Sequence, residues 1–412
     1  MTEQAALRHR ECVMRIGTTI GMLMVLLILA AEPIEASTTI RFATFNASLY
    51  RHSEGELISD LETGADSQAM VIAEIIQRVQ PDILLINEFD YDPSGDAANA
   101  FRSLYLQISQ NGAPAADYFN FVFVAPSNTG IPSGFDLDNN GDTDGLGDAF
   151  GYGEFEGQYG MVLYSRYPIV ELEVRTFQHF LWQDMPSALL PDDLCTLKPS
   201  DWYSDEELDA LRLSSKNHWD VPIQIGNTVI HVLASHPTPP VFDGNEDANG
   251  RRNHDEIRFW ADYVTPGRGD YIYDDAGLTQ PLGGQYFVIM GDLNADPLDG
   301  DSTNKAVLQL LEYPMINTLM TPTSEGGLEQ TELQAAVNNS HLGDPRCDTA
   351  DFGESMNENL RVDYVLPSAT LEMIDAGVFW PIADEPLFNQ LVGVYPFPGS
   401  DHRLVWVDIL LP

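Results

Sequence analysis

The sequence predicts a mixed α/β domain, and three observations carry that expectation. Apolar runs of strand length, such as "ILLINEF" (83–89) and "YFVIMGDLN" (286–294), recur along the chain. Between them lie stretches whose apolar residues keep helical spacing, at 67–80 and 256–264. Long connections rich in Gly, Asp and Pro (90–157, 178–220, 238–284 and 320–360) read as loops decorating one core. Because strands, hairpins and helices alternate irregularly, a run of simple strand-helix repeats is not expected. No internal repeat or separating linker divides the chain.

The elements follow in order. Residues 38–46, "TTIRFATFN", alternate enough for a strand, and "SQAMVIAEIIQRVQ" (67–80) sets Ile72, Ile75, Ile76 and Val79 on one helical stripe. Pro81-Asp82 ends that helix, and "ILLINEF" follows as a buried strand. "GMVLYS" (160–165) and "IVELEVRTF" (169–177) are expected strands. "VPIQIGNTVIHVLASH" (221–236) reads as a hairpin turning at Gly226-Asn227. "EIRFWADYV" (256–264) spaces Ile257, Trp260, Ala261 and Val264 as a helix, and strands are expected at 286–294, 361–367 and 404–411.

Over its 412 residues the chain carries 20 Lys and Arg against 63 Asp and Glu. After Arg8, Arg10 and Arg15 comes "IGTTIGMLMVLLILAA", then "EPIEAS" with a small residue at Ala36. Residues 1–36 therefore read as a secretory signal, and 37–412 as the mature, secreted or periplasmic domain. An uncleaved membrane anchor is the alternative, although the run is short against the roughly 20 apolar residues that a spanning helix needs. Met14 is an alternative start, and no later segment is apolar enough to span a bilayer. Residues 1–36 hold three Arg and four Glu, so the remainder has 17 basic and 59 acidic residues, a net of −42. So negative a field repels polyanions, and no basic stripe offers itself to a nucleic acid. Cys195 and Cys347 remain; in an exported chain two cysteines suggest one disulfide, though sequence cannot measure their separation.

Polar residues collect at strand ends. Asn46 closes the first strand, Glu88 lies in "INEFD", and His236 follows "VIHVLAS". Asp292 and Asn294 end "VIMGDLN", Asp363 interrupts "RVDYV", and Asp401-His402 precedes the last strand. Carboxylates there are costly unless solvated, paired or bound to a cation, and any one alone is more often a capped turn. Together they offer hard oxygen donors suited to Mg²⁺, Mn²⁺ or Ca²⁺, with two imidazoles that exchange protons near neutral pH. Those are the ingredients of metal-assisted phosphoester hydrolysis.

The segments "ATFN", "INEF", "GMVLYSRYPI", "LASHPTPP", "GDLNADP", "RVDYVLPS" and "GSDHRLVWVDI" span residues 40–411 in order. In that order they resemble the endonuclease/exonuclease/phosphatase family, which includes nucleases, inositol-polyphosphate phosphatases and sphingomyelinases. The resemblance implies a four-layer α-β-β-α sandwich, two packed mixed sheets flanked by helices, with the site at one end. It also implies Mg²⁺ or Mn²⁺ at Glu88, Asn46 and Asp401. Asp292 would orient or deprotonate the attacking water, and Asn294 would position water and phosphate. His236 would stabilise or protonate the departing side. His402 would lie by the scissile phosphate, its ring fixed by Asp363.

Two departures bear on substrate. "SHPTPP" places prolines where many relatives continue with a longer polar loop. "SSKNHWDVP" (214–222) and "NGRRNHDEIRFW" (249–260) supply Lys216, His218, Arg251 and Arg252 as a phosphate clamp; alternatively, Arg251 and Arg252 pair with surface carboxylates. In "DLDNNGDTDGLGD" (136–148), Asp136, Asp138, Asn140 and Asp142 alternate as in a calcium loop, with Gly141 at the sharp turn. Gly147 stands where an EF-hand needs Glu, so either a structural Ca²⁺ site or a solvated acidic turn is expected. The leading reading is an exported, monomeric, metal-dependent hydrolase of a small or lipid-linked phosphoester, with no membrane anchor after cleavage. A secreted nuclease is the second, disfavoured by charge. A non-catalytic calcium-binding or adhesion module is the third, and its mark would be loss of Asp292, His236 or His402.

Overall fold

The computed structural model describes residues 38–282, 284–353 and 358–412, so the leader expected over 1–36 lies outside the described residues. Thr39–Pro412 forms one compact unit. Two mixed sheets make its centre. The first has the order β12-β13-β1-β2-β4-β3, using Thr39–Leu49 (β1), Ile83–Phe89 (β2), Phe121–Phe123 (β3), Met161–Ser165 (β4), Glu372–Val378 (β12) and Val405–Leu410 (β13). The second has the order β11-β8-β7-β6-β5, from Arg175–Thr176 (β5), His218–Ile225 (β6), Thr228–Ser235 (β7), Phe287–Asp292 (β8) and Asp363–Pro367 (β11). Ala350–Asp351 (β9) and Asn359–Leu360 (β10) form a small separate hairpin.

Strand alternation builds the layers. Val288 and Met290 of β8 join Phe42, Ile86 and Val407 in the core between the sheets. Phe287 and Ile289, pointing the other way, pack with Ile257 and Trp260 of the helix Ala248–Tyr263. On the outer side of the first sheet lies Ser67–Val79, whose Asp66 side chain accepts the Ala69 N–H as an N-cap. That is the expected four-layer α-β-β-α sandwich. Among the described residues no helix is long and apolar enough to cross a membrane.

Four sequence expectations need correction. Over 169–177 only Arg175–Thr176 pairs as a strand, while Glu171–Glu173 forms a 3₁₀ turn whose side chains face solvent beyond the sheet edge. Within the supposed loops lie helices at Asp96–Phe101 and Glu325–Gln334. The latter has few apolar residues and is started by the Ser324 cap on Gly327 N–H. The helix expected at 256 begins at Ala248, because its buried face includes Asn253, Asp255, Glu256 and Asp262, which apolar periodicity does not detect. Cys195 and Cys347 are both free thiols, not a disulfide.

Candidate active site

The topology brings the polar strand ends to one edge. β1 runs parallel to β2, and β7 parallel to β8, so Asn46, Glu88, His236 and Asp292 all sit at C-terminal ends. β11 and β13 are antiparallel to their neighbours, so their N-terminal ends reach the same edge. Asp363 is thereby paired in register with Asp292. Gly291 is required here: at φ 147 its missing Cβ would lie 2.0 Å from the Ser235 carbonyl oxygen. The sheets touch at this edge through Asn87, which accepts the Asp292 N–H at 3.2 Å and donates to the Ser235 carbonyl at 3.3 Å. Ser48, Glu88, Tyr159 and Asn294 around it all hold positive φ, the kind of backbone strain that collects at functional sites.

Asp292 is the hub. Its Oδ2 accepts from Asn46 Nδ2 at 3.0 Å and lies 3.4 Å from His236 Nε2 and 3.8 Å from His402 Nε2. Its Oδ1 accepts the Asn294 N–H at 2.9 Å, and Asn294 Nδ2 donates to the Pro237 carbonyl. On its far side His402 Nδ1 meets Asp363 Oδ2 at 2.8 Å, and Thr349 Oγ1 donates to the same oxygen at 2.9 Å. Asp401 takes a weak hydrogen bond from Ser48 Oγ at 3.3 Å. The turn presenting Asp401-His402 is held by buried Arg403, whose Nη1 donates to the carbonyls of Ser400 and His402. A cavity of about 280 Å³ opens beside this web, with Glu88, Asp292, Asn294, Asp401 and His402 in its wall.

Electrostatics sort the groups. Burial pushes Asp292 upward, but the His402 charge and the contacts from His236 and Asn46 outweigh it and hold the carboxylate well below its ordinary range. Burial also disfavours charge on His402, yet Asp363 and Asp292 together raise it well above an ordinary histidine. His236 goes the other way: burial, helped by the Lys216 charge, lowers it to about 4, so it is neutral. Asp363 is raised by burial to about 6. Glu88 is raised by burial, then by the Asp401 charge, to about 7. A carboxylate so disfavoured, with a second carboxylate and the Asn46 amide beside it, is a set of hard oxygen donors that fits a divalent cation. Asp292, Asp363 and His402 also bring ligand atoms within 4.8 Å of one another, but their hydrogen bonds to each other spend those atoms.

The expected phosphate clamp does not form. Arg252 is committed to protein: Nε donates to the Leu213 carbonyl and Nη2 to those of Arg212 and Phe150. His218 is buried between Phe259 and Trp260, its nitrogens meeting Ser214 Oγ and the Glu256 carbonyl. Arg251 reaches the Leu190 carbonyl and Asp247, the surface pairing that was the alternative. Lys216 alone faces the site: burial lowers its pKa while Glu256, Glu88 and Asp292 draw it upward. The stretch read as a clamp is instead a scaffold. Glu256 accepts the N–H groups of Ser215 and Thr238, and Asn253 donates to the Thr238 and Leu293 carbonyls, which fixes the loops carrying Lys216, His236 and Asn294. Accordingly Arg252→Ala should destabilise folding by about 2 kcal/mol or more, since buried carbonyls lose charged donors. The KM of the surviving enzyme should not move; a steep KM rise at unchanged denaturant midpoint would restore the clamp.

In the 136–148 loop, Asp136 and Asp138 gather with Asp148, not with Asp142. Asp142 caps the N–H groups of Thr143 and Asp144, and the Asn140 side-chain oxygen accepts the Asp142 N–H. Asp148 was missed because it lies where an EF-hand ligand is not sought. Thr349, Asn87 and Glu256 were missed because single polar residues in apolar or helical stretches carry no pattern.

Comparison with known proteins matches the description "Endonuclease/Exonuclease/phosphatase family" over residues 43–402. No match was found among curated proteins. Among solved structures, an endonuclease/exonuclease/phosphatase from Beutenbergia cavernae DSM 12333 is similar at 17% identity and TM-score 0.49, over 90% of this chain and 72% of that one. A family protein from Bacteroides thetaiotaomicron aligns at 12% identity and TM-score 0.46, over 92% and 99%. Sphingomyelinase C from Streptomyces griseocarneus aligns at 13% identity and TM-score 0.44, over 90% and 99%. The match over most of the chain, on a sandwich of two mixed sheets, makes this protein a member of the endonuclease/exonuclease/phosphatase family.

Proposed function

We propose that the protein is an exported hydrolase that directs water onto the phosphorus of a small or lipid-linked phosphoester and works as a monomer. One observation carries the reading: Asn46 of one sheet and His236 and His402 from both sides converge on the single carboxylate Asp292 at a cavity mouth. Asp292, kept ionised by its neighbours, orients the attacking water and accepts its proton. Asn294 holds its partner in line. His402, cationic and fixed by Asp363, offsets charge gathering on the phosphoryl oxygens and can release a proton to the departing oxygen. His236, neutral, keeps Asp292 in place, and Lys216 adds positive charge beneath the site. Glu88, Asn46 and Asp401 would hold Mg²⁺ or Mn²⁺, which when bound supplies Lewis-acid stabilisation of the phosphoryl oxygens. Family enzymes are typically divalent-metal dependent, in keeping with that donor set.

Among the described residues the cavity wall contains no Lys or Arg, which favours a compact ester over a polynucleotide. A panel of bis-p-nitrophenyl phosphate, p-nitrophenyl phosphate, plasmid DNA and sphingomyelin with added Mg²⁺, Mn²⁺ or Ca²⁺ tests the reading. A small or lipid ester should turn over fastest. Preferential nicking of plasmid would establish the nuclease instead, and no turnover of any substrate would favour a binding module.

A further inference from the structure

The cavity beside the candidate catalytic centre has a second wall whose charge that chemistry does not use. Asp296, Asp299, Asp301 and Glu358 line it, away from the groups that handle phosphorus. Two of these carboxylates are fixed in place. Asp296 accepts the N–H groups of Leu298, Asp299 and Arg361, and Asp299 those of Leu342 and Gly343. Such anchoring keeps them ionised without neutralising them. Arg361, the cation whose backbone meets Asp296, lays its guanidinium over the Tyr364 ring at 4.8 Å and is not in the wall. Behind the wall, buried Asp348 is pushed up to about 8, by burial first and then by the charges of Asp296 and Asp299. Tyr50 and Tyr159, with ring centroids 4.6 Å apart, and Phe352 contribute aromatic surface to the same cavity.

We propose that this wall selects a phosphodiester whose second organic group carries an ammonium, held by the carboxylates Asp299, Asp301 and Glu358 and by the neighbouring aromatic surface. The inference rests on the phosphoester-hydrolase reading above and adds the sign of charge on the substrate. Carboxylates repel a second phosphate and attract a cation, and aromatic faces add cation–π attraction. A cavity of about 280 Å³ suits one compact head group rather than a strand with a phosphate at every residue.

Two substrates of one shape test it: p-nitrophenyl phosphorylcholine and 3,3-dimethylbutyl p-nitrophenyl phosphate, in which carbon replaces the ammonium nitrogen. In both, water oxygen bonds to phosphorus as the bond to nitrophenolate breaks. At low salt the metal-loaded enzyme should show kcat/KM for the cationic ester at least about tenfold above the neutral one, the size of one modest cation–π contact. In the D301N/E358Q double variant that ratio should fall toward one. Because it is a ratio within one preparation, partial unfolding does not change it. Equal kcat/KM for the two esters in the wild type, or an unchanged ratio in the variant, overturns the inference while leaving the hydrolase intact. Equal loss on both esters, restored by raising Mg²⁺, assigns the wall to a metal and overturns it too. Turnover of neither ester by the wild type rejects the hydrolase reading itself, a separate outcome.

Discussion

Replacing Asp292 by alanine is expected to lower kcat at least about a thousandfold, the loss that follows removal of a positioned acid-base group and its electrostatic partner. The carboxylate is the common acceptor of Asn46, His236 and the Asn294 N–H, so the substitution removes the water's acceptor and loosens three neighbours at once. It also leaves buried donors unpaired, at a cost of about 1–3 kcal/mol in stability. Asp292→Asn separates the two effects. The amide keeps the shape and one acceptor oxygen, so the unfolding midpoint should move little while kcat stays within about tenfold of the alanine variant. Steady-state kinetics with urea unfolding checks both. A variant that lost stability but retained turnover would reduce Asp292 to a structural residue.

Glu88→Gln should have the second large effect, and of opposite sign in two assays. Turnover should fall at least about a hundredfold, a typical cost of losing one preorganised electrostatic contact, and chelation of the wild type should produce the same silence. Added Mg²⁺ or Mn²⁺ should rescue the chelated wild type but not the variant. In the chelated protein the substitution should raise Tm. Burial and Asp401 lift the Glu88 pKa from 4.5 to about 7, so the folded state binds this proton more tightly than the unfolded chain. A raised acid of this kind loses native stability as pH climbs from about 4.5 through 7. The gain from glutamine is therefore complete at pH 8 and fades toward pH 4.5. Scanning calorimetry in chelator at both pH values reads it; a Tm that dropped at pH 8 would mean that Glu88 is satisfied by protein alone.

Much of this site was legible because its residues interrupt patterns that are otherwise regular. Asn46, Glu88, Asp292 and Asp363 stand in or beside buried strands, where a polar side chain needs a reason. His236 and Asp401-His402 lie where strands end or begin at the same edge. What the sequence could not convey was direction. Arg251, Arg252, His218 and Lys216 share a composition suited to phosphate, yet only Lys216 turns toward the centre, because the polar side of the Ala248–Tyr263 helix is spent holding loops. Asn253 and Glu256 break apolar periodicity for the same reason, so the helix read short at its start. Asp148 joins Asp136 and Asp138 by a chain reversal that alternation along a line does not encode. The edge strand Glu372–Val378 alternates too weakly to be read, since several of its residues face solvent.

The central claim is that the Asp292 carboxylate and the His402 imidazole belong to one hydrolytic unit. Measuring kcat for Asp292→Ala, His402→Ala and the double variant on the best small ester tests this most directly. Groups that act as a unit are strongly non-additive, so the double variant should be no more than about threefold slower than the worse single variant. If the two losses multiply instead, the residues work independently and the single centre described here does not exist.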